Sequence, residues 1–185
     1  MDASNQLRMM VYAALFAALT AVGAFLSIPI GPVPIVLQNM FVYLAGLLLG
    51  SRWGLASVGV YLLVGAVGLP VFAGGLGGIA RFIGPTGGYL LGYLPTVALI
   101  GKIAHRAAPR MITDVLGMVC GTLVLYACGV TWLKIVSGMP LDKTLALGMY
   151  PFLIGDTIKI AAAAAIARAL RPVIRVSGPA SRVTA

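Results

Sequence analysis

The chain has 185 residues, of which 61% are hydrophobic and only 9% are charged, and its mean hydropathy is +1.05. Soluble domains carry about 25% charged residues, so this composition excludes a soluble globular protein. The formal net charge of +9 does not indicate a nucleic-acid partner, because the basic residues lie between apolar runs and in the tail and form no basic face.

Apolar runs along the chain predict an all-α integral membrane protein with six transmembrane helices. A helix needs about 20 apolar residues to cross the bilayer, and six such runs account for residues 1–185 as a single membrane domain. The second and third runs are short, so either the bilayer adjusts to them or they extend into the flanking loops. The predicted spans are 7–28, 36–49, 54–69, 87–103, 113–133 and 150–170, followed by a cytoplasmic tail at 171–185.

The basic residues predict the orientation of these spans. With six spans, both termini share one side of the membrane with the second and fourth loops, and that side carries most of the 13 Lys and Arg residues. The other side carries Arg81, Lys134 and Lys143. Because loops rich in Lys and Arg remain in the cytoplasm, both termini are predicted to be cytoplasmic. The irregular segments of the chain then meet at the outer face.

Small residues recur along the first span, at Ala13, Ala17 and Ala21. This spacing builds a flat strip along which a second helix can approach closely. The strip could pack inside the bundle or contact a partner protein. The spacing alone slightly favours packing inside the bundle.

Two amides, Gln38 and Asn39, stand at the outer start of the second span, after a segment that contains Pro32 and Pro34. Amides in this position suit a polar ligand in an outer vestibule, or hydrogen bonds between helices. The spacing does not decide between these two roles.

The stretch 68–89 contains eight glycines and two prolines and is otherwise largely apolar. Such a chain resists regular helix, and irregular backbone at membrane depth survives only where protein buries it or where it lines a cavity. We therefore predict a ligand-covering or re-entrant loop in preference to a flexible hydrophilic one. The glycines do not match a nucleotide-binding motif, so any energy from ATP must come from another polypeptide.

Asp156 and Lys159 are an ionisable pair within the last span. Residues three apart share one face of a helix, and Asp156 lies roughly 8 Å below the outer end of the helix that starts near Pro151. Charges at membrane depth are usually functional, which favours ligand binding. The alternative is an ion pair that only fixes the register of the helix.

Nothing in the spans indicates catalysis. Cys120 and Cys128 are separated by about 12 Å along one helix, beyond the reach of a disulfide, and the only histidine, His105, is predicted in a loop. No metal-ligand set or nucleophile–base pair is visible. Asp114, at the start of the fifth span, is interpreted as a helix cap. The sequence therefore predicts no enzyme activity and no cofactor.

Four segments of the chain resemble the BioY family, the biotin-specific S components of energy-coupling factor (ECF) transporters. They are spread through most of the chain in the family order, and the alanine strip is similar to the S-component surface that contacts the coupling subunit. The segments are Gly-Pro-Val-Pro-Ile-Val-Leu-Gln at 31–38, Gly-Leu-Pro-Val-Phe at 68–72, Gly-Pro-Thr-Gly-Gly-Tyr at 84–89 and Pro-Phe-Leu-Ile-Gly-Asp-Thr-Ile-Lys at 151–159.

This resemblance implies an S-component-like bundle in a bacterial inner membrane, with an irregular outer Gly-rich loop. It implies capture of biotin from the outside, with ATP hydrolysis supplied by two ATPase subunits through a transmembrane coupling subunit. The implied partner contacts are Ala13, Ala17 and Ala21. The implied substrate-binding residues are Gln38, Arg81, Thr86, Tyr89, Asp156 and Lys159.

The implied residues suit biotin chemically. Asp156 would accept from the ureido N–H groups, and Lys159 or Gln38 would donate to the ureido carbonyl. Arg81 is the free candidate for the carboxylate, and which cation meets which end of biotin stays open. Two other functions stay open: a self-sufficient secondary transporter for biotin or another small organic anion, and a structural assembly factor. The second accounts for the alanine strip but leaves the intramembrane charges without a role.

Overall fold

The computed structural model describes residues 3–106 and 111–175, so the predicted tail lies outside the described residues from 176 onward. The elements in chain order are α1 (Ala3–Phe25), β1 (Ser27–Ile28), β2 (Ile35–Val36), α2 (Gln38–Ala66), α3 (Ala80–Ile83), α4 (Gly87–Arg106), α5 (Met111–Ser137), α6 (Leu141–Gly148) and α7 (Tyr150–Arg175). Among these described elements, the helices α1, α2, α4 and α5 are long and apolar enough to cross a membrane.

Helix α2 is a hairpin of two arms that reverse at Gly50. This residue has φ 78° and ψ −177°, a conformation that only glycine adopts readily. The Tyr61 hydroxyl lies 3.3 Å from the Gln38 side-chain oxygen, whereas a continuous helix would separate these residues by about 35 Å. With the two arms counted separately, the described chain has six long helical segments. The predicted all-α, six-helix membrane fold is confirmed.

The first arm of α2, residues 38–49, is short. Twelve helical residues rise about 18 Å, against a hydrocarbon core of about 30 Å. The predicted run began at 36, but β1 and β2 pair there as a two-residue antiparallel ladder. The non-helical segment at 26–37 therefore occupies the part of the hydrocarbon core that a full-length helix would have crossed. The helix α6, which was not predicted, follows Pro140 in the connection between α5 and α7.

Asp114 does not act as the predicted cap. It is the fourth residue of α5, it is 2% exposed, and its two carboxylate oxygens accept from Arg171 of α7 at 2.8 and 3.0 Å. A bidentate Arg–carboxylate pair is a strong, directional contact. It joins the N-terminal end of α5 to the C-terminal part of α7.

The alanine strip of α1 lies mainly inside the bundle. Ala13 and Ala17 are buried in the core and Ala21 is partly buried, on the helix that packs against α2. Ala13 and Ala17 thus pack within the bundle, the role that the spacing slightly favoured, and a partner contact at the strip stays a prediction. The adjacent Ala14 and Ala18 are exposed on the same helix.

Candidate small-molecule binding site

A cavity of about 330 Å³ opens where the non-helical segments meet the helix ends. This volume is at the lower end of the range for small-molecule sites, about 300–1,000 Å³. Apolar side chains form much of its wall, among them Val33, Phe72, Leu90, Leu125 and Phe152. The site therefore suits a small ligand with an apolar body.

One wall of the cavity is the segment between α1 and α2. The backbone N–H of Leu37 donates to the carbonyls of Gly23 and Leu26 at 3.1 and 3.2 Å, which ties this segment to the end of α1. A side chain at Gly23 would place its Cβ 2.8 Å from the Gln38 Cα. The absence of a side chain there lets α2 begin against α1, with Gln38 at the cavity.

The Gly-rich loop covers another side of the cavity, as predicted. Phe72 is 2% exposed, and its ring makes edge-to-face contacts with Tyr61 and Phe82 at centroid distances of 5.5 and 5.6 Å. The backbone N–H of Gly78 donates to the Gly65 carbonyl at 2.7 Å. Aromatic packing and backbone hydrogen bonds thus hold the loop on the end of α2.

Asp156 is the centre of a buried polar cluster beside the cavity. It is 2% exposed. One of its carboxylate oxygens accepts from the Lys159 ammonium at 2.9 Å and from the Asn39 side-chain amide at 3.4 Å, and the other accepts from the Tyr126 hydroxyl at 2.6 Å. Asn39 in turn accepts from the Tyr93 hydroxyl at 2.7 Å. The carboxylate is paired and hydrogen-bonded, as a buried charge must be.

The structure brings five of the six predicted substrate-binding residues to this cavity. Lys159 is the exception, because it is buried and bonded to Asp156 but does not line the wall. The Tyr89 hydroxyl donates to the Gly148 carbonyl at 2.5 Å, so this residue offers the cavity its ring. The five lining residues are Gln38, Arg81, Thr86, Tyr89 and Asp156.

Three residues of the site were not predicted as substrate-binding: Asn39, whose role the spacing left open, and Tyr93 and Tyr126. All three line the cavity. The two tyrosines had a signal in the sequence, because a tyrosine hydroxyl inside a transmembrane span requires a hydrogen-bond partner. Within residues 3–106 and 111–175, no group of three or more His, Cys, Asp or Glu residues is placed to hold a metal ion.

Comparisons with known proteins agree over nearly the whole chain. The model of the BioY family matches residues 1–176. The chain is 45% identical over 158 residues to the probable biotin transporter BioY of Pyrococcus horikoshii, and the matched region covers 85% of this chain and 93% of that protein. It is 41% identical over 165 residues to the biotin transporter BioY of Thermotoga maritima, covering 89% of this chain and 96% of that protein.

A solved structure shows the same agreement in three dimensions. The crystal structure of the S-component for biotin from an ECF-type ABC transporter superposes with a TM-score of 0.86 at 37% sequence identity. The match covers 93% of this chain and 95% of that chain.

Proposed function

This chain belongs to the BioY family, and we infer that it is a biotin transporter, the S-component of an ECF-type transporter. It is a multi-pass membrane protein and not an enzyme. The observation that carries the inference is the cavity itself, in which apolar walls end at a buried, hydrogen-bonded carboxylate, Asp156.

We propose that the ureido ring of biotin binds at the Asp156 end of the cavity. A cyclic urea offers two N–H donors beside one carbonyl acceptor. Asp156 supplies acceptor oxygens, and the amides of Gln38 and Asn39 supply donors on the same part of the wall. The ring system and the aliphatic chain of biotin would lie against Phe72, Leu125 and other apolar residues, which is the usual division of labour in small-molecule sites.

The carboxylate of biotin is assigned to Arg81. This residue lies on the short helix α3 in the Gly-rich loop, lines the cavity and is partly exposed. Neither of the ion pairs between described side chains involves Arg81, so its charge is available to a ligand. A carboxylate at the other end would lie beside Asp156, where two anions repel each other. Thr86 adds a hydroxyl to the wall.

Lys159 is assigned a supporting role behind Asp156. An isolated carboxylate at membrane depth is costly, and a neighbouring ammonium removes much of that cost. The 2.9 Å ion pair thus allows an ionised Asp156 to stand beside an apolar cavity. The predicted alternatives, ion pair or binding residue, are combined in this proposal, because Asp156 pairs with Lys159 and also lines the cavity.

The energy for transport is assigned to other polypeptides. ECF partners follow from the family, and we propose that a transmembrane coupling subunit and two ATPase subunits supply ATP hydrolysis. The exposed face of α1, with Ala14 and Ala18, is the surface assigned to the coupling subunit, because small side chains allow close helix approach. Both termini are assigned to the cytoplasm from the distribution of Lys and Arg.

Calorimetric titration of the purified protein with biotin in detergent or nanodiscs tests the binding function. We expect saturable binding with one biotin per chain. A protein that is folded by its melting curve and releases no heat with biotin would contradict the assignment. Uptake that needs no partner subunits and collapses with an ionophore would favour the self-sufficient secondary transporter instead.

A further inference from the structure

We propose that Asn39 is the donor that recognises the ureido carbonyl of the ligand, and that Tyr93 is a positioning residue that fixes the direction of the Asn39 amide. The proposal rests on the proposed function, biotin in this cavity. It adds a determinant of specificity within the cavity wall, which Asn39 and Tyr93 both line.

The direction of every hydrogen bond in this part of the site follows from the carboxylate. An ionised carboxylate only accepts hydrogen bonds, so the Asn39 group that lies 3.4 Å from Asp156 must be its NH2 group. The Asn39 side-chain oxygen then points to the Tyr93 hydroxyl at 2.7 Å, and the tyrosine must donate. The chain Tyr93–Asn39–Asp156 therefore has one polarity, set by Asp156.

The two bonds of Asn39 differ in strength. Its bond from Tyr93 is short, whereas its bond to Asp156 is near the upper limit for a hydrogen bond. The Asn39 amide nitrogen carries two hydrogens, and the residue is 8% exposed and lines the cavity. A carbonyl oxygen that arrives beside Asp156 thus meets an N–H donor, and an adjacent N–H of the ligand meets the carboxylate. This is the pattern of a cyclic urea.

On the side of Asn39 away from Asp156, the hydroxyl of Tyr93 donates to the Asn39 side-chain oxygen at 2.7 Å. Tyr93 is 3% exposed, so solvent does not replace its hydroxyl. Without that hydroxyl the Asn39 oxygen loses its short hydrogen bond, and the longer bond to Asp156 holds the NH2 group less firmly in the direction of the ligand. A site that donates a hydrogen bond to a ligand carbonyl rejects an analogue that has a donor in its place. Loss of the Tyr93 hydroxyl should therefore weaken this rejection.

The test compares biotin with 2-iminobiotin, in which a protonated imine replaces the carbonyl and so converts an acceptor into a donor at neutral pH. The measured quantity is the ratio of the two dissociation constants, iminobiotin over biotin. We expect Tyr93→Phe to lower this ratio by roughly two- to tenfold, the value of one neutral hydrogen bond. Asn39→Leu, which removes the donor at similar volume, should lower it as well.

Tyr89→Phe is the matched control. It also removes a tyrosine hydroxyl from the cavity wall, but this hydroxyl donates to the Gly148 carbonyl and not to Asn39. It should leave the ratio unchanged even if both affinities fall. Adding Tyr93→Phe to Asn39→Leu should change the ratio no further, since the two residues act as one unit.

An equal loss of affinity for both ligands in Tyr93→Phe, or no loss for either, would overturn the proposal and leave Tyr93 a structural residue. If the Tyr93→Phe protein does not fold, the Asn39→Leu protein provides the test. An unchanged ratio of dissociation constants in Asn39→Leu would overturn the role of Asn39. These failures are distinct from failure of the proposed function, in which the unaltered protein would not bind biotin.

Discussion

The hydroxyl of Tyr61 donates to the side-chain oxygen of Gln38 at 3.3 Å, although 23 residues separate them in the chain. Both residues belong to α2, and the contact exists because the helix folds back on itself. It joins the two arms at the end where the cavity lies. The first residue of α2 is thereby held in the cavity wall by a residue near the end of the same helix.

The reversal of α2 depends on Gly50. Gly50→Ala should lower the free energy of unfolding by about 1–3 kcal/mol, the cost of holding a residue with a side chain in this backbone conformation. The added Cβ would also approach the His105 ring to 3.1 Å. A melting curve in detergent measures the effect. The control is Gly59→Ala in the same helix, where a Cβ meets no atom within 4 Å and the melting temperature should not fall.

Asp156→Asn should weaken biotin binding roughly tenfold to a hundredfold, because a hydrogen bond to a charged group contributes about 1.5–3 kcal/mol. It should also lower the melting temperature, since Lys159 loses its only anionic partner in the described chain. Asp114→Asn breaks the other ion pair, with Arg171, away from the cavity, and should lower stability alone. An unchanged dissociation constant in Asp156→Asn would remove this residue from the binding site.

Arg81→Gln should weaken binding of biotin roughly tenfold to a hundredfold through loss of a charge-assisted hydrogen bond. It should hardly change binding of biotin amide, which has no carboxylate. Titration of both ligands against both proteins gives the comparison. Lys143→Gln is the control for overall charge, because Lys143 is an exposed basic residue outside the cavity lining. Equal losses for the acid and the amide would place Arg81 elsewhere on the ligand.

The orientation of the chain is tested by single cysteines at two exposed positions, Lys143 and Arg106. A cysteine at 143 should react with a membrane-impermeant reagent in intact cells, and one at 106 should react only after lysis. Cys120 and Cys128 are replaced by serine beforehand, since Cys120 is exposed in the structure. The reverse labelling pattern would place the Gly-rich loop in the cytoplasm.

Ala18→Leu should weaken association with a coupling subunit while leaving biotin binding and the melting temperature intact. The residue is exposed on α1, and overpacking a close contact costs about 1–3 kcal/mol. Ala17→Leu is the comparison, because Ala17 is buried in the bundle and should lose stability instead. Association measured by co-purification separates them. A stable Ala17→Leu protein that fails to associate would return the partner contact to the buried strip.

Much of the architecture could be predicted from the sequence, because length and hydropathy of the runs determine which segments cross a bilayer. The spans at 36–49 and 54–69 placed a reversal between them, but its sharp geometry at Gly50 and the helix α6 could not be predicted, since each depends on tertiary packing more than on local composition. The polar site was predicted in part. Asp156 was identified because a charge in a span is costly, whereas its contact with Asn39 joins residues 117 apart in the chain, which no local pattern reveals.

Local sequence patterns also could not show that Lys159 lies outside the cavity wall. Its spacing from Asp156 indicated a shared helix face, and the 2.9 Å ion pair has that spacing. Spacing does not tell which of the two side chains points to a cavity, because that depends on how α7 is rotated against its neighbours. Only Asp156 of the pair lines the wall.

The ring of Phe72 packs directly against the backbone of Gly65, and this contact changes how sequence variants of this protein should be interpreted. Gly65 does not line the cavity, yet a Cβ there would overlap the Phe72 ring, and Phe72 is the aromatic residue that anchors the covering loop against Tyr61. In a genetic screen for lost uptake, Gly65→Ala would therefore score like a substitution of a ligand-contacting residue. A distance cut-off from the ligand would classify it as a neutral position.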